Sequence, residues 1–203
     1  TVSQISQTTV FDKRDNKYEP KDGYVVSLTN ELAGLSGDTQ HFRTRIKTGY
    51  FVSLFEDKVL ALIAESGHII GIDQDVNIGE RFFLGGQTVR GFSNSGIGPR
   101  DGITNDALGG NNYYAGSIEL RFPLGLGEEL GINGSLFTDV GSLWSLDRDS
   151  PDILDSSGAR ASAGFGLSWA TGLGLMRVDF ASALLKEDWD ETEFVRFSFG
   201  TRF

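Results

Sequence analysis

The sequence contains no cysteine, one methionine and only four prolines in 203 residues. The absence of cysteine excludes disulfides, a thiol nucleophile and thiolate metal sites. Long apolar runs are also missing. The longest, Val59-Leu60-Ala61-Leu62-Ile63-Ala64, falls far short of the roughly 18 apolar residues that a membrane-spanning helix needs. That excludes helical spans and nothing more, because a strand facing lipid on one side shows only alternation over about ten residues. Positive charge is not in excess either: the formal net charge is -10. With no basic helix or arm, this balance argues against nucleic acid as a partner, since phosphate binding needs Lys/Arg patches. The opening Thr1-Val2-Ser3-Gln4 lacks a signal-peptide pattern, so the expectation is a processed chain or a piece of a longer one.

What is present is alternation of apolar with polar or small residues, broken by clusters of Gly, Asp, Asn and Ser. It predicts an all-β chain of about nine strands. In the segment 41–54, Phe42, Ile46, Tyr50, Val52 and Leu54 oppose His41, Arg43, Arg45, Lys47 and Gly49. In 113–122, Tyr114, Ile118, Leu120 and Phe122 oppose Tyr113, Ser117, Glu119 and Arg121. The segment 160–170 sets Ala161, Ala163, Phe165, Leu167 and Trp169 against Ser162, Gly164, Gly166 and Ser168. The segment 173–186 sets Met176, Val178, Phe180 and Leu184 against Arg177, Asp179, Ala181 and Ala183. The last strand, 194–203, alternates Val195, Phe197, Phe199, Thr201 and Phe203 with Arg196, Ser198, Gly200 and Arg202.

Two architectures fit such strands, a soluble β-sandwich and an antiparallel transmembrane β-barrel. The outer face of a sandwich meets bulk water and carries long charged residues and Thr. Here the polar faces hold many Gly, Ser and Ala residues mixed with paired charges, which suits a crowded polar lumen. Trp144, Trp169, Tyr113, Tyr114 and Tyr50 lie near strand ends, where a barrel has aromatic girdles. Turns such as Glu56-Asp57-Lys58 and Thr171-Gly172-Leu173-Gly174 are short, whereas Leu146–Gly158 and the acidic run 186–193 are long, solvated connections. This asymmetry also favours the barrel.

Residues 71–111 break the rhythm. A connection this long without strand alternation is functional or disordered, and its Arg81-Phe82-Phe83-Leu84-Gly85-Gly86 and Val89-Arg90-Gly91-Phe92 are too aromatic for disorder. Inside a barrel, the place to pack it is the lumen. Arg90 then loses water, and a buried guanidinium requires carboxylates. Parity offers two: Glu119 lies opposite Ile118, Leu120 and Phe122, and Asp139 shares the face of Ser135 and Phe137. One guanidinium fork can engage both. The alternative is an Arg90 exposed on the loop without a fixed partner.

Other chemistry finds little footing. His41 sits beside Arg43, Arg45 and Lys47, and His68 follows Ser66-Gly67; neither belongs to a recognisable nucleophile arrangement. Asp73-Gln74-Asp75-Val76-Asn77 begins like a calcium loop, but Ile78 stands where Gly is needed and Leu84 where Glu is needed. The glycines at 85, 86 and 91 lack the spacing of a dinucleotide motif. No catalytic residue, cofactor site or metal site is expected.

Arg81-Phe82-Phe83, Gly85-Gly86 and Val89-Arg90-Gly91-Phe92 resemble the long-loop signature of the outer-membrane assembly and two-partner secretion transporter superfamily. Ile97-Gly98-Pro99-Arg100, Gly109-Gly110-Asn111 and Thr138-Asp139-Val140-Gly141 with Trp144 are similar to its BamA branch. The resemblance covers nearly the whole chain. It implies that the loop enters the lumen, that Arg90 pairs with Glu119 and Asp139, and that the final strand with Phe197, Phe199, Gly200 and Phe203 carries a sorting signal. It also implies the C-terminal portion of one barrel domain, with the N-terminal strands and the periplasmic POTRA repeats of the family absent. The function implied is assembly of β-barrel proteins into the bacterial outer membrane, without enzymatic activity or cofactor. The partners implied are unfolded outer-membrane clients, accessory assembly lipoproteins and outer-membrane lipid. The rival functions are a two-partner secretion or TamA-like translocation pore and a passive porin.

Overall fold

The computed structural model describes residues 2–37, 39–55, 57–125, 131–148, 150–171 and 174–199. Thr1, Glu56, Gly172, Leu173 and Gly200 to Phe203, all invoked above, lie outside the described residues. The strands are β1 (Val2–Asp12), β2 (Gly23–Gly37), β3 (His41–Phe55), β4 (Lys58–Gly71), β5 (Arg100–Asp101), β6 (Asn112–Pro123), β7 (Ile132–Trp144), β8 (Ile153–Leu154), β9 (Arg160–Thr171), β10 (Gly174–Leu185) and β11 (Val195–Phe199), with one 3-10 turn at Ile78–Glu80. Nine of them form one antiparallel sheet in the order β1-β2-β3-β4-β6-β7-β9-β10-β11, while β5 and β8 pair separately.

Each neighbour in the large sheet is also the next long strand in the chain, so the sheet is an up-and-down meander. The side chains sort by parity onto two faces. One face exposes Leu28, Ile46, Leu62, Ile118, Leu136 and Phe165, a continuous apolar surface whose natural solvent is hydrocarbon. The other buries Arg90, Glu119, Asp139, Ser162 and Asp179. A sheet apolar outside and polar inside is the wall of a transmembrane β-barrel. Trp144 packs edge-on against Tyr114 at a ring separation of 5.9 Å, as girdle aromatics do. Tyr113 does not join them. It is buried on the inner face, 4.7 Å from the ring of Phe82. Parity with Ser117 and Glu119 decides its direction, and nearness to a strand end does not.

The inner face is concave around the connection between β4 and β6, residues 72–111; Gly71, placed in the loop by the sequence, ends β4 instead. A single apolar cluster unites Val76, Phe82, Leu84, Val89, Phe92 and Ile97 of this loop with Ile69, Tyr113, Ala115 and Leu143 of the wall. Burying such side chains contributes roughly 1.5–3 kcal/mol each. The cluster also accounts for the run 59–64. Within this run the inward residues Val59, Ala61 and Ile63 are buried and the outward ones meet lipid, so neither face of the run is polar. Gly67 makes room for the loop, since a Cβ there would lie 2.4 Å from Tyr113 and 2.7 Å from Phe82.

The two longest connections, 72–111 and 145–159, share one end of the sheet with 186–194. They are interwoven there: β5 pairs with β8, Gly102 N donates to Asp152 O at 2.7 Å, and Asp147 accepts from Val76 N and Asn111 Nδ2 at 2.8 and 2.9 Å. At these points the acidic loops are more than solvated surface. Asp190, within 186–193, is 8% exposed and pairs with the fully buried Arg160 at 3.0 Å. Carboxylates there close donors on the neighbouring loops, a role that composition does not reveal.

Candidate functional site

Arg90 sits where the loop meets the wall. Its position follows from Gly91, whose φ of +90° lies in a region L-residues rarely adopt and turns the chain back after the arginine. The arginine is 2% exposed, and Glu119, Asp139 and Asp179 are 0, 0 and 4% exposed. The structure brings together the three residues singled out from the sequence. Arg90 Nε and Nη2 donate to Asp139 Oδ2 and Oδ1, both at 2.7 Å, and the Arg90 backbone N donates to Asp139 Oδ2 at 3.0 Å. Nη1 donates to Glu119 Oε2 at 2.6 Å. Ser117 accepts from Nη2 at 3.0 Å and donates to Asp139 Oδ1 at 2.6 Å. The guanidinium carbon lies 3.3 Å from the ring centroid of Phe137, a cation–π contact that strengthens when water is excluded. Val89 and Phe92 flank it in the apolar cluster and are both 0% exposed.

Parity alone missed the second tier. Arg177 Nη1 and Nη2 donate to Glu119 at 3.0 and 2.8 Å, and its Nε donates to Asp179 at 2.8 Å. Arg121 Nε reaches Glu119 Oε1 at 2.7 Å, and Asp179 approaches Arg90 to 3.7 Å. Glu119 is therefore shared by three arginines. The site balances three guanidinium groups with three carboxylates, which keeps its burial from being prohibitive. Gly166 on β9 leaves space for it: a Cβ there would lie 2.4 Å from Asp179 Oδ1 and 2.7 Å from Ser135 Oγ. Arg177 and Asp179 already stand on the polar face of their strand in the sequence. What the sequence lacks is the curvature that carries β10 round to β6. A cavity of about 290 Å³ adjoins the site, lined in part by Arg14, Tyr18, Phe51, Arg121 and Arg177.

Among the described residues no group of three or more His, Asp or Glu is arranged to hold a metal ion. The Arg90 Nε, Nη1 and Nη2 donors are all spent on side chains of the wall. In the final strand, Phe197 and Phe199 are each 72% exposed on the outer face; Gly200 and Phe203 fall outside the described residues.

Comparison with known proteins gives consistent matches. The Omp85 superfamily domain model matches residues 1–203. The outer membrane protein assembly factor BamA of Neorickettsia risticii is 40% identical over 198 residues, covering 97% of this chain and 27% of that protein. The sorting and assembly machinery component 50 homolog of Xenopus tropicalis is 37% identical over 138 residues, covering 66% of this chain and 29% of that protein. The chain thus spans between a quarter and a third of the length of these relatives. The crystal structure of BamA from Haemophilus ducreyi lacking POTRA domains 1-3 superposes with a TM-score of 0.87 at 22% identity, covering 98% of this chain and 42% of that one.

Proposed function

The chain belongs to the Omp85 superfamily, a family of outer-membrane β-barrel proteins, and from that premise we propose that the protein carrying it assembles and inserts β-barrel proteins into the bacterial outer membrane. Its nine strands are the C-terminal part of the barrel, with the remaining wall and any periplasmic repeats supplied by other sequence. The loop 72–111, pinned by Arg90, holds the barrel in a competent shape. The final strand contributes one edge of a seam on which incoming strands pair by main-chain hydrogen bonds, with alternate side chains giving specificity. Clients are unfolded outer-membrane proteins, helped by accessory lipoproteins, and the surrounding solvent is outer-membrane lipid. The work is done by binding and positioning, without enzymatic chemistry.

The observation that carries this reading is the buried clamp between Arg90, Glu119 and Asp139. A packed, charge-paired loop in the lumen disfavours a passive pore, which conducts through a large open lumen. The rival is a two-partner secretion or TamA-like translocation pore of the same superfamily. Depleting the full-length protein from cells that depend on it separates the two. Assembly predicts a broad loss of folded porins from the outer membrane. Normal porins with loss of one secreted protein overturn the assembly reading in favour of secretion.

A further inference from the structure

Residues 91–96 of the lumen loop lie alongside residues 190–194, the stretch that leads into β11. Ser93 N donates to Glu191 O at 2.9 Å, Glu191 N to Gly96 O at 3.0 Å, and Glu193 N to Gly91 O at 3.1 Å. Phe92 and Thr192 form a β-bridge. Side chains reinforce the ladder. Arg100 is 2% exposed; its Nη1 donates to Glu191 Oε1 at 2.9 Å and to Asn105 O at 2.7 Å, and its Nη2 donates to Ser95 O at 3.0 Å. On the other side, Arg160 holds Asp190, and Ala181 N of β10 donates to Phe194 O at 2.9 Å. Among the described strands β11 pairs with β10 alone, over the short register from Met176–Phe199 to Phe180–Val195. Much of what positions its entry therefore comes from the loop.

We infer that residues 91–96 are a latch for the final strand, and that Gly96 and Arg100 are positioning residues of the seam. A Cβ on Gly96 would lie 2.4 Å from Glu191 O and 2.8 Å from Ser93 N and O, and these backbone atoms cannot yield without moving residues 91–96 and 190–194 apart. Arg90 immediately precedes Gly91, so the buried clamp and the latch belong to one short piece of chain: what loosens the clamp also shifts the entry of β11. As a statement about the seam, this rests on the assembly reading above; as a statement about the loop and β11, it does not.

The test is hydrogen exchange by mass spectrometry on the full-length protein in lipid, with client folding measured on the same samples. Gly96→Ala is expected to speed exchange in peptides covering Val195–Phe199 roughly tenfold, as local opening becomes easier, while β6 and β7 keep their protection. Arg100→Gln removes the grip on Glu191 without crowding the backbone, and is expected to act in the same direction less strongly. Unchanged exchange of β11 in both variants, or equal acceleration in β6 and β7, overturns the latch. Faster β11 exchange with normal client folding keeps the latch and contradicts its role at the seam, whereas a failure of the unsubstituted protein to fold clients contradicts the assembly reading and leaves the latch standing.

Discussion

Replacing Arg90 by methionine is expected to cost about 3–5 kcal/mol of barrel stability, because it removes one partner of a buried ion pair and leaves the other uncompensated. The orphan is Asp139, which accepts three of its hydrogen bonds from Arg90. Methionine fills much of the arginine's volume, so the loss measures charge and hydrogen bonding more than a cavity. The second half of the prediction is a rescue. In Arg90→Met with Asp139→Asn the neutral amide still accepts the backbone N–H of residue 90, and at least half of the loss should return. The readout is the urea midpoint of the full-length protein in detergent. A single-variant loss below about 1 kcal/mol, the range of an exposed pair, would place Arg90 outside any clamp.

Glu119→Gln is expected to be comparably severe, for the opposite reason. Its carboxylate takes Arg90, Arg121 and Arg177 at 2.6 to 3.0 Å. Glutamine removes the negative charge and turns one acceptor into a donor that faces guanidinium groups. Three arginines then share Asp139 and Asp179, and the surplus positive charge is buried. Asp179→Asn should cost less, since Asp179 is close to Arg177 but 3.7 Å from Arg90. The two substitutions are compared by the same urea midpoint. Equal losses, or a larger one at Asp179, would move the centre of the network from β6 to β10.

The fold class and strand number are legible because parity is a local property: each strand writes its own two faces, and the barrel reading follows from what the inner faces carry. Glu119 and Asp139 were placed inward by neighbours one residue away, and the inward loop followed from its aromatics. Contacts that depend on curvature were not legible. Arg177 and Asp179 join the clamp only because the wall bends β10 towards β6, and no spacing along the chain encodes that approach. The strap at 186–193 reads as a solvated acidic run because the partners of Asp190 and Glu191, Arg160 and Arg100, are distant in sequence. Tyr113 departs from the girdle for a simpler reason: parity governs its direction, and nearness to a strand end does not.

The central claim, that the arginine's fixed geometry in the lumen serves assembly, is tested most directly by Arg90→Lys in the full-length protein reconstituted in lipid vesicles. Lysine keeps the charge but loses the fork that engages Asp139 and Glu119 together. The measurement is the rate at which an unfolded porin acquires its folded, protease-resistant form. The expected result is a variant that inserts and remains folded, with client folding slowed by roughly tenfold or more, the factor that 1.36 kcal/mol of lost stabilisation produces. Client folding at the wild-type rate, with the variant equally abundant in the vesicles, would contradict it and leave the clamp a purely structural feature of the barrel.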